Sequence, residues 1–112
     1  MSVKLTSFAY RSGDVPSPST LTVDCRKLAN PHSNPGLRPL DGKAKLVQQY
    51  VQLDPKFDGV FREALAQARD GAHIAFGCFG GRHRSVALVE LVARALLASG
   101  QSVTIHHRDL AA

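Results

Sequence analysis

The chain has 112 residues and a mass of 12.1 kDa, enough for one domain around one core and too short for two ordinary domains. Hydrophobic residues make up 44% and charged residues 21%, a globular balance that excludes a disordered or low-complexity chain. Fourteen Lys and Arg against nine Asp and Glu leave a net charge of +5, a field that favours polyanions or anionic small ligands.

Residues 1–4 run directly into Leu5–Tyr10, too short and too polar-flanked for a signal peptide. Val3 and Leu5 alternate with Lys4 and Thr6, and Phe8, Ala9 and Tyr10 follow, which predicts a strand over 3–10. Arg11 to Ser19, with Gly13, Pro16 and Pro18, reads as a loop. Leu21, Val23 and Cys25 then face one side and Thr22 and Asp24 the other, a second strand over 20–25. Lys27 to Gly42 holds three prolines, two glycines and two asparagines and reads as one long loop, a length that implies function in a compact domain.

Leu46, Val47, Tyr50 and Val51 fit one face of a short helix over about 42–53. Asp54 is expected to cap a second helix with Pro55 at its first position, and Gly71 to stop it. His73–Phe76 reads as a buried strand leading into Gly77-Cys78-Phe79-Gly80-Gly81-Arg82-His83-Arg84-Ser85. Ser85–Ser99 then forms a helix with Glu90 and Arg94 paired at i,i+4, closed by Gly100, and Val103–His106 a final strand. That apolar helix is broken by Glu90 and Arg94 and is far short of a bilayer span of about 20 residues, so no membrane partner is expected. The expected fold is α/β: one small domain over 1–112 with about four strands and three helices. Its C-terminal βαβ unit should be right-handed and carry an anion-binding loop.

In an open α/β sheet, ligands sit beyond the carboxyl ends of strands, where helix N-termini point, and residues 77–85 lie at such a place. Gly77, Gly80 and Gly81 permit positive φ and close approach, so several N–H groups can converge on one anion. Arg82, His83 and Arg84 add side-chain donors, the arginines as planar forks matched to phosphate. The loop is neither a Walker P-loop, which needs Gly where Arg82 stands, nor a dinucleotide fingerprint.

The spacing Cys78-x5-Arg84-Ser85 matches that of Cys-dependent phosphatases, with Cys78 as nucleophile and Arg84 at the phosphate. Gly77 replaces the His that usually precedes such a Cys, and no general acid is evident, so the leading expectation is non-catalytic binding. Cys25 and Cys78 are too few for a disulfide scaffold, which favours free thiols and a cytoplasmic, reducing setting. With five His they make no recognised metal-ligand spacing, and neither metal nor cofactor is expected.

The blocks Asp24-Cys25-Arg26-Lys27-Leu28-Ala29-Asn30-Pro31-His32, Leu37-Arg38-Pro39, Gly42, the run Gly77–Val86 and His107-Arg108 span nearly the whole chain. Together they resemble the C-terminal domain of the RapZ family of RNase adapter proteins. In that family a kinase-like domain with a Walker motif comes first, so the chain is expected to be a stand-alone C-terminal domain. The resemblance implies a regulatory adapter that senses an amino-sugar phosphate, glucosamine-6-phosphate in the family. It also implies binding of small RNAs, presentation of them to a ribonuclease, and self-association into a homo-oligomer.

By this similarity the ligand pocket comprises Asp24, Arg26, His32, Gly80, Gly81, His83, Arg84 and Ser85, for a sugar phosphate or nucleotide. Arg38 and the His107-Arg108 pair stand at its rim. Phe79 occupies a position where the family usually has Thr. The basic residues Arg26, Lys27, Arg38, Arg82 and Arg108 are expected to gather near one end of the sheet as an RNA surface. Tyr10 and Phe79 remain as base platforms, because Phe57, Phe61 and Phe76 are assigned to the core.

Overall fold

The computed structural model describes residues 2–17 and 19–110; Met1, Pro18, Ala111 and Ala112, and with Pro18 one residue of the first expected loop, lie outside them. Four strands, β1 (Ser2–Ala9), β2 (Leu21–Asp24), β3 (His73–Cys78) and β4 (Ser102–His107), form one sheet in the order β2-β3-β1-β4. Every pairing is parallel. The helices α1 (Lys45–Gln52), α2 (Phe57–Gln67) and α3 (Arg84–Ala98) complete an α/β fold.

The period of two in the strands decides which face is covered. Val3 and Leu5 of β1 stand in register with Val103 and Ile105 of β4, and Leu5 pairs with Ile74 of β3. Ile74 and Phe76 in turn pair with Leu21 and Val23 of β2. Apart from Ile105, which is exposed, these side chains form or pack against one core with Val47 and Val51 of α1, Val60 and Ala64 of α2, and Leu88 and Val92 of α3. Leu5, Phe76 and Leu88 are fully buried, each burial contributing about 1.5–3 kcal/mol. Lys4, Thr6, His73, Ala75, Thr22 and Asp24 alternate onto the opposite face.

The strand order places the site. The connection after β1 moves in one direction along the sheet, to β2, whereas those after β2 and β3 move in the other; α3 carries the chain past β1 to β4. The connections that leave the adjacent strands β1 and β3 therefore run in opposite directions along the sheet from neighbouring carboxyl ends. That is the crevice where parallel α/β sheets bind ligands.

Several local expectations change in the structure. Asp54 does not cap α2, which begins at Phe57 without a side-chain cap. Its carboxylate instead accepts from the N–H groups of Lys56 (2.8 Å) and Ala29 (2.7 Å), which hold the carboxyl below its ordinary range and tie two loops together. The helix ends at Gln67, and Gly71 takes its positive φ of 83° in the following turn. Strand β3 runs two residues further than expected, because Gly77 and Cys78 still pair with Phe8 and Ala9. The long loop contains one 3-10 turn, Pro31–Ser33, in which the Asn30 side chain accepts from His32 N–H.

Glu90 and Arg94 also pair elsewhere. The Glu90 carboxylate lies 2.9 Å from His107 Nε2, while Arg94 donates to Gln48 Oε1 at 3.2 Å. His107 Nδ1 in turn lies 2.7 Å from Ser7 Oγ, so α3, β4 and β1 are joined through one imidazole. Tertiary partners outcompete a solvent-exposed i,i+4 pair, which contributes only about 0.3–0.5 kcal/mol.

Candidate functional site: an anion cradle at the carboxyl ends of β1, β2 and β3

A cavity of about 310 Å³ opens at these carboxyl ends. It is lined by Arg11, which follows β1, by Asn30 and His32 of the loop after β2, and by Cys78, Phe79, Gly80, Arg82, His83 and Arg84 at and beyond the end of β3. Five arginine and histidine residues stand in this wall, Arg11, His32, Arg82, His83 and Arg84, and among the described residues no carboxylate lines it.

The backbone of the wall is unspent. Among the described residues, none of the N–H groups from Phe79 to Val86 donates to a protein acceptor, and α3 begins without a side-chain cap. Only carbonyls of this run are engaged: Phe79 O accepts from Arg11 N–H at 3.2 Å, Arg82 O from Gly42 N–H at 2.9 Å and His83 O from Ala87 N–H at 2.9 Å. Protein N–H groups are satisfied almost everywhere, so a run of unpaired donors that leads into the first turn of a 15-residue helix is a place for water or an anion.

The three glycines divide the work. Gly81 alone of them has positive φ, 67°, and a Cβ there would stand 2.9 Å from the Ala9 nitrogen, so it turns the loop back onto β1. Gly77 lies within β3, where a Cβ would meet the rings of Phe8 and Tyr10 at 2.5 Å. Gly80 lines the cavity and faces open space. Gly77 and Gly80 do not use the positive φ open to them, and Gly77 serves close approach instead.

Arg84 is 93% buried and spends Nη1 on two carbonyls of the loop after β2, Arg26 O at 2.8 Å and Leu28 O at 3.2 Å. The same guanidinium lines the cavity, so it is at once a strut and a wall. His83 is buried beside it and Nε2–H donates to Arg38 O at 3.2 Å. Burial pushes the His83 pKa below the ordinary imidazole value, partly offset by the carbonyls of Arg38 and Leu40. The rings of His32 and His83 lie 6.2 Å apart. Arg38 Nε donates to His32 O at 2.8 Å and Arg82 Nη2 to Pro39 O at 2.9 Å, which fixes the long loop as a second wall.

Of the residues expected at a pocket, His32, Gly80, His83 and Arg84 line the cavity together. Gly81 supports it from beneath, and Ser85 is fully buried with Oγ 3.2 Å from Cys78 Sγ at the floor. Asp24 and Arg26 bind each other, with Nη2 2.7 Å from Oδ2, and Arg26 covers the Tyr10 ring at 3.8 Å. The Arg26 side-chain hydrogen bond draws the Asp24 carboxyl below its ordinary range. Lys27, Arg38 and Arg82 are exposed near the same end of the sheet. Arg108 pairs with Asp109 at 3.1 Å and donates to Asp14 O at 2.6 Å, which pins the connection after β1.

Arg11 belongs to the wall but carries no motif that marks it as a ligand contact. Arg11 enters it because β1 and β3 are neighbours, a fact of strand order. Cys25 is fully buried, and burial pushes its thiol pKa well up, so this cysteine is a core side chain. Among the described residues, no cluster of three or more His, Cys, Asp or Glu has the arrangement of a metal site, and no helix is long and apolar enough to cross a membrane.

Comparison with known proteins places this architecture. The nucleotide-binding protein of Ruegeria sp. (strain TM1040) is 41% identical over 121 aligned residues, covering 98% of this chain and 40% of the relative. That of Paramagnetospirillum magneticum is 43% identical over 122 aligned residues, covering 98% and 39%, and that of Rhodospirillum centenum 44% over 119, covering 96% and 36%. The chain thus spans about two-fifths of the length of these relatives. The family model described as the RapZ C-terminal domain matches residues 1–111, and the chain belongs to that family.

Proposed function

We propose that this chain is a non-catalytic regulatory domain, acting as one unit over residues 1–112, that holds a phosphorylated small molecule by its phosphate in the cavity beside α3. The observation that carries the reading is the coincidence of unpaired N–H groups, from Phe79 to Val86, with a cavity walled by arginines and histidines and by no carboxylate. Family membership supports an adapter role, and the names of the relatives speak for a nucleotide. Glucosamine-6-phosphate, implied by the resemblance, shares the phosphate through which the pocket acts.

Calorimetry with glucosamine-6-phosphate, a nucleoside monophosphate and their unphosphorylated parents tests the proposal. Binding should require the phosphate; equal affinity for glucosamine and its phosphate, or no binding of any phosphate compound at millimolar concentration, contradicts it.

Binding in the cavity is proposed to couple to small RNA, a ribonuclease partner and a second copy of the chain through the surface around the long loop. Lys27, Arg38 and Arg82 are exposed there, whereas Arg26 and Arg108 each face an aspartate.

A second reading has one observation in its favour: Cys78, a cavity-lining residue, lies 3.2 Å from the hydroxyl of Ser85. In a phosphatase the Cys78 thiolate would attack phosphorus, the alcohol would leave with a proton, and water would then release phosphate. Against it, Arg84 Nη1 is committed to two carbonyls, and no carboxylate lines the cavity to protonate a leaving group. Release of phosphate from an aryl phosphate, lost in Cys78→Ser, would establish this reading and overturn the non-catalytic one.

A further inference from the structure

Phe79 is a large apolar residue of the cavity wall, a character the phosphate does not explain. It follows the last residue of β3 and its side chain is left 61% exposed, although a phenyl ring in the adjoining core would be fully covered. Its carbonyl accepts from the N–H of Arg11, and its exposed ring belongs to the same cavity wall as the cationic Arg11 and Arg82. The other aromatic near this end, Tyr10, has one face covered by the Arg26 guanidinium at 3.8 Å and an edge against Phe8.

The cavity volume adds a constraint. About 310 Å³ is at the lower limit of small-molecule pockets, room for a phosphate and the sugar that bears it. A larger ligand must extend beyond the cavity into solvent, and Phe79 is an exposed apolar side chain of the cavity lining. An amino sugar would find no carboxylate in the wall for its ammonium group, whereas a flat heteroaromatic ring needs no counter-charge and stacks on a phenyl face.

Resting on the proposed phosphate pocket, we infer that Phe79 is a specificity-determining residue that stacks the base of a nucleoside 5′-phosphate whose phosphate lies against the 79–86 backbone. The shared chemistry is a 5′-phosphorylated nucleotide unit, supplied either by a free mononucleotide or by the 5′ end of an RNA strand. Base stacking on an aromatic side chain is of the order of ten-fold or more in affinity.

The experiment compares inorganic phosphate, ribose-5-phosphate and AMP by calorimetry on the full chain, as wild type, Phe79→Ala and Phe79→Tyr. The wild type and Phe79→Tyr should bind AMP at least about ten-fold tighter than ribose-5-phosphate. Phe79→Ala should bind the two equally. Equal affinities in the wild type, or a preference for AMP that survives in Phe79→Ala, overturn the inference while leaving the phosphate pocket standing. Absence of binding by all three compounds removes the pocket reading itself, and the inference with it. A short oligoribonucleotide with a 5′-phosphate, compared with the same strand bearing a 5′-hydroxyl, identifies the source. Tighter binding of the phosphorylated strand than of AMP assigns the site to an RNA end, and tighter binding of AMP assigns it to the free nucleotide.

Discussion

Arg84 Nη1 lies 2.8 Å from the main-chain carbonyl of Arg26, so the first residue of α3 holds the loop that follows β2. The guanidinium that the sequence marks as a phosphate fork is thus also the joint between two walls of the pocket. Removing it leaves the Arg26 and Leu28 carbonyls without their donor in a largely buried place. We expect Arg84→Ala to lower unfolding stability by about 2–3 kcal/mol, as for loss of charged hydrogen bonds, and to weaken phosphate binding as well. Urea denaturation checks it: an unchanged midpoint would show that the joint carries no load.

Glycine substitutions should separate packing from binding. Gly42 has no room for a Cβ, which would come within 2.3 Å of the Ala87 nitrogen and 2.5 Å of the His83 oxygen at the start of α3. Gly42→Ala is expected to cost about 1–3 kcal/mol and to displace the long loop from the cavity. Gly80 faces open space without positive φ, so Gly80→Ala should change stability by less than about 0.5 kcal/mol. Thermal melts of the two variants decide this, and equal destabilisation would contradict the backbone geometry.

Stability should depend on pH through His83. Burial depresses its folded-state pKa below the ordinary 6.5, so in the window just below that value the unfolded chain binds more protons than the folded one. Its neutral form therefore supports the fold fully above the unfolded pKa, and that support is lost as pH falls through the folded pKa. The stability difference between wild type and His83→Gln should shrink as pH is lowered from 7.5 to about 5. A difference that is flat, or that grows with acid, contradicts this sign.

RNA binding, if it uses the surface around the long loop, should be dominated by phosphate contacts and weaken steeply with salt. Arg38→Ala and Arg82→Ala should each reduce the slope of log K against log salt by about one. Filter binding of a structured small RNA across salt measures the slope. An unchanged slope in both variants excludes this surface.

The strands were legible because Val3, Leu5, Leu21 and Val23 alternate with polar residues, and Val3, Leu5 and Val23 are buried with Leu21 packed against them. The glycine-bearing bend was legible as a place where the chain leaves a strand and enters a helix. What the sequence does not display is strand order, and Arg11 joins the pocket only because β1 lies beside β3. Side-chain partnerships escaped for a related reason. Asp54 has the local pattern of a helix cap but serves Ala29, and Glu90 has the spacing of a helical ion pair but serves His107. Both choices are made by groups distant in the chain.

The central claim is that the N–H groups from Phe79 to Val86 receive a phosphate. Titration of the ¹⁵N-labelled protein with inorganic phosphate, followed amide by amide, tests it most directly. Saturable shifts concentrated at residues 79–86, with the Arg11 and Arg84 side chains following, are the predicted result. Amides of this run that stay unmoved while shifts scatter over exposed lysines would contradict the account.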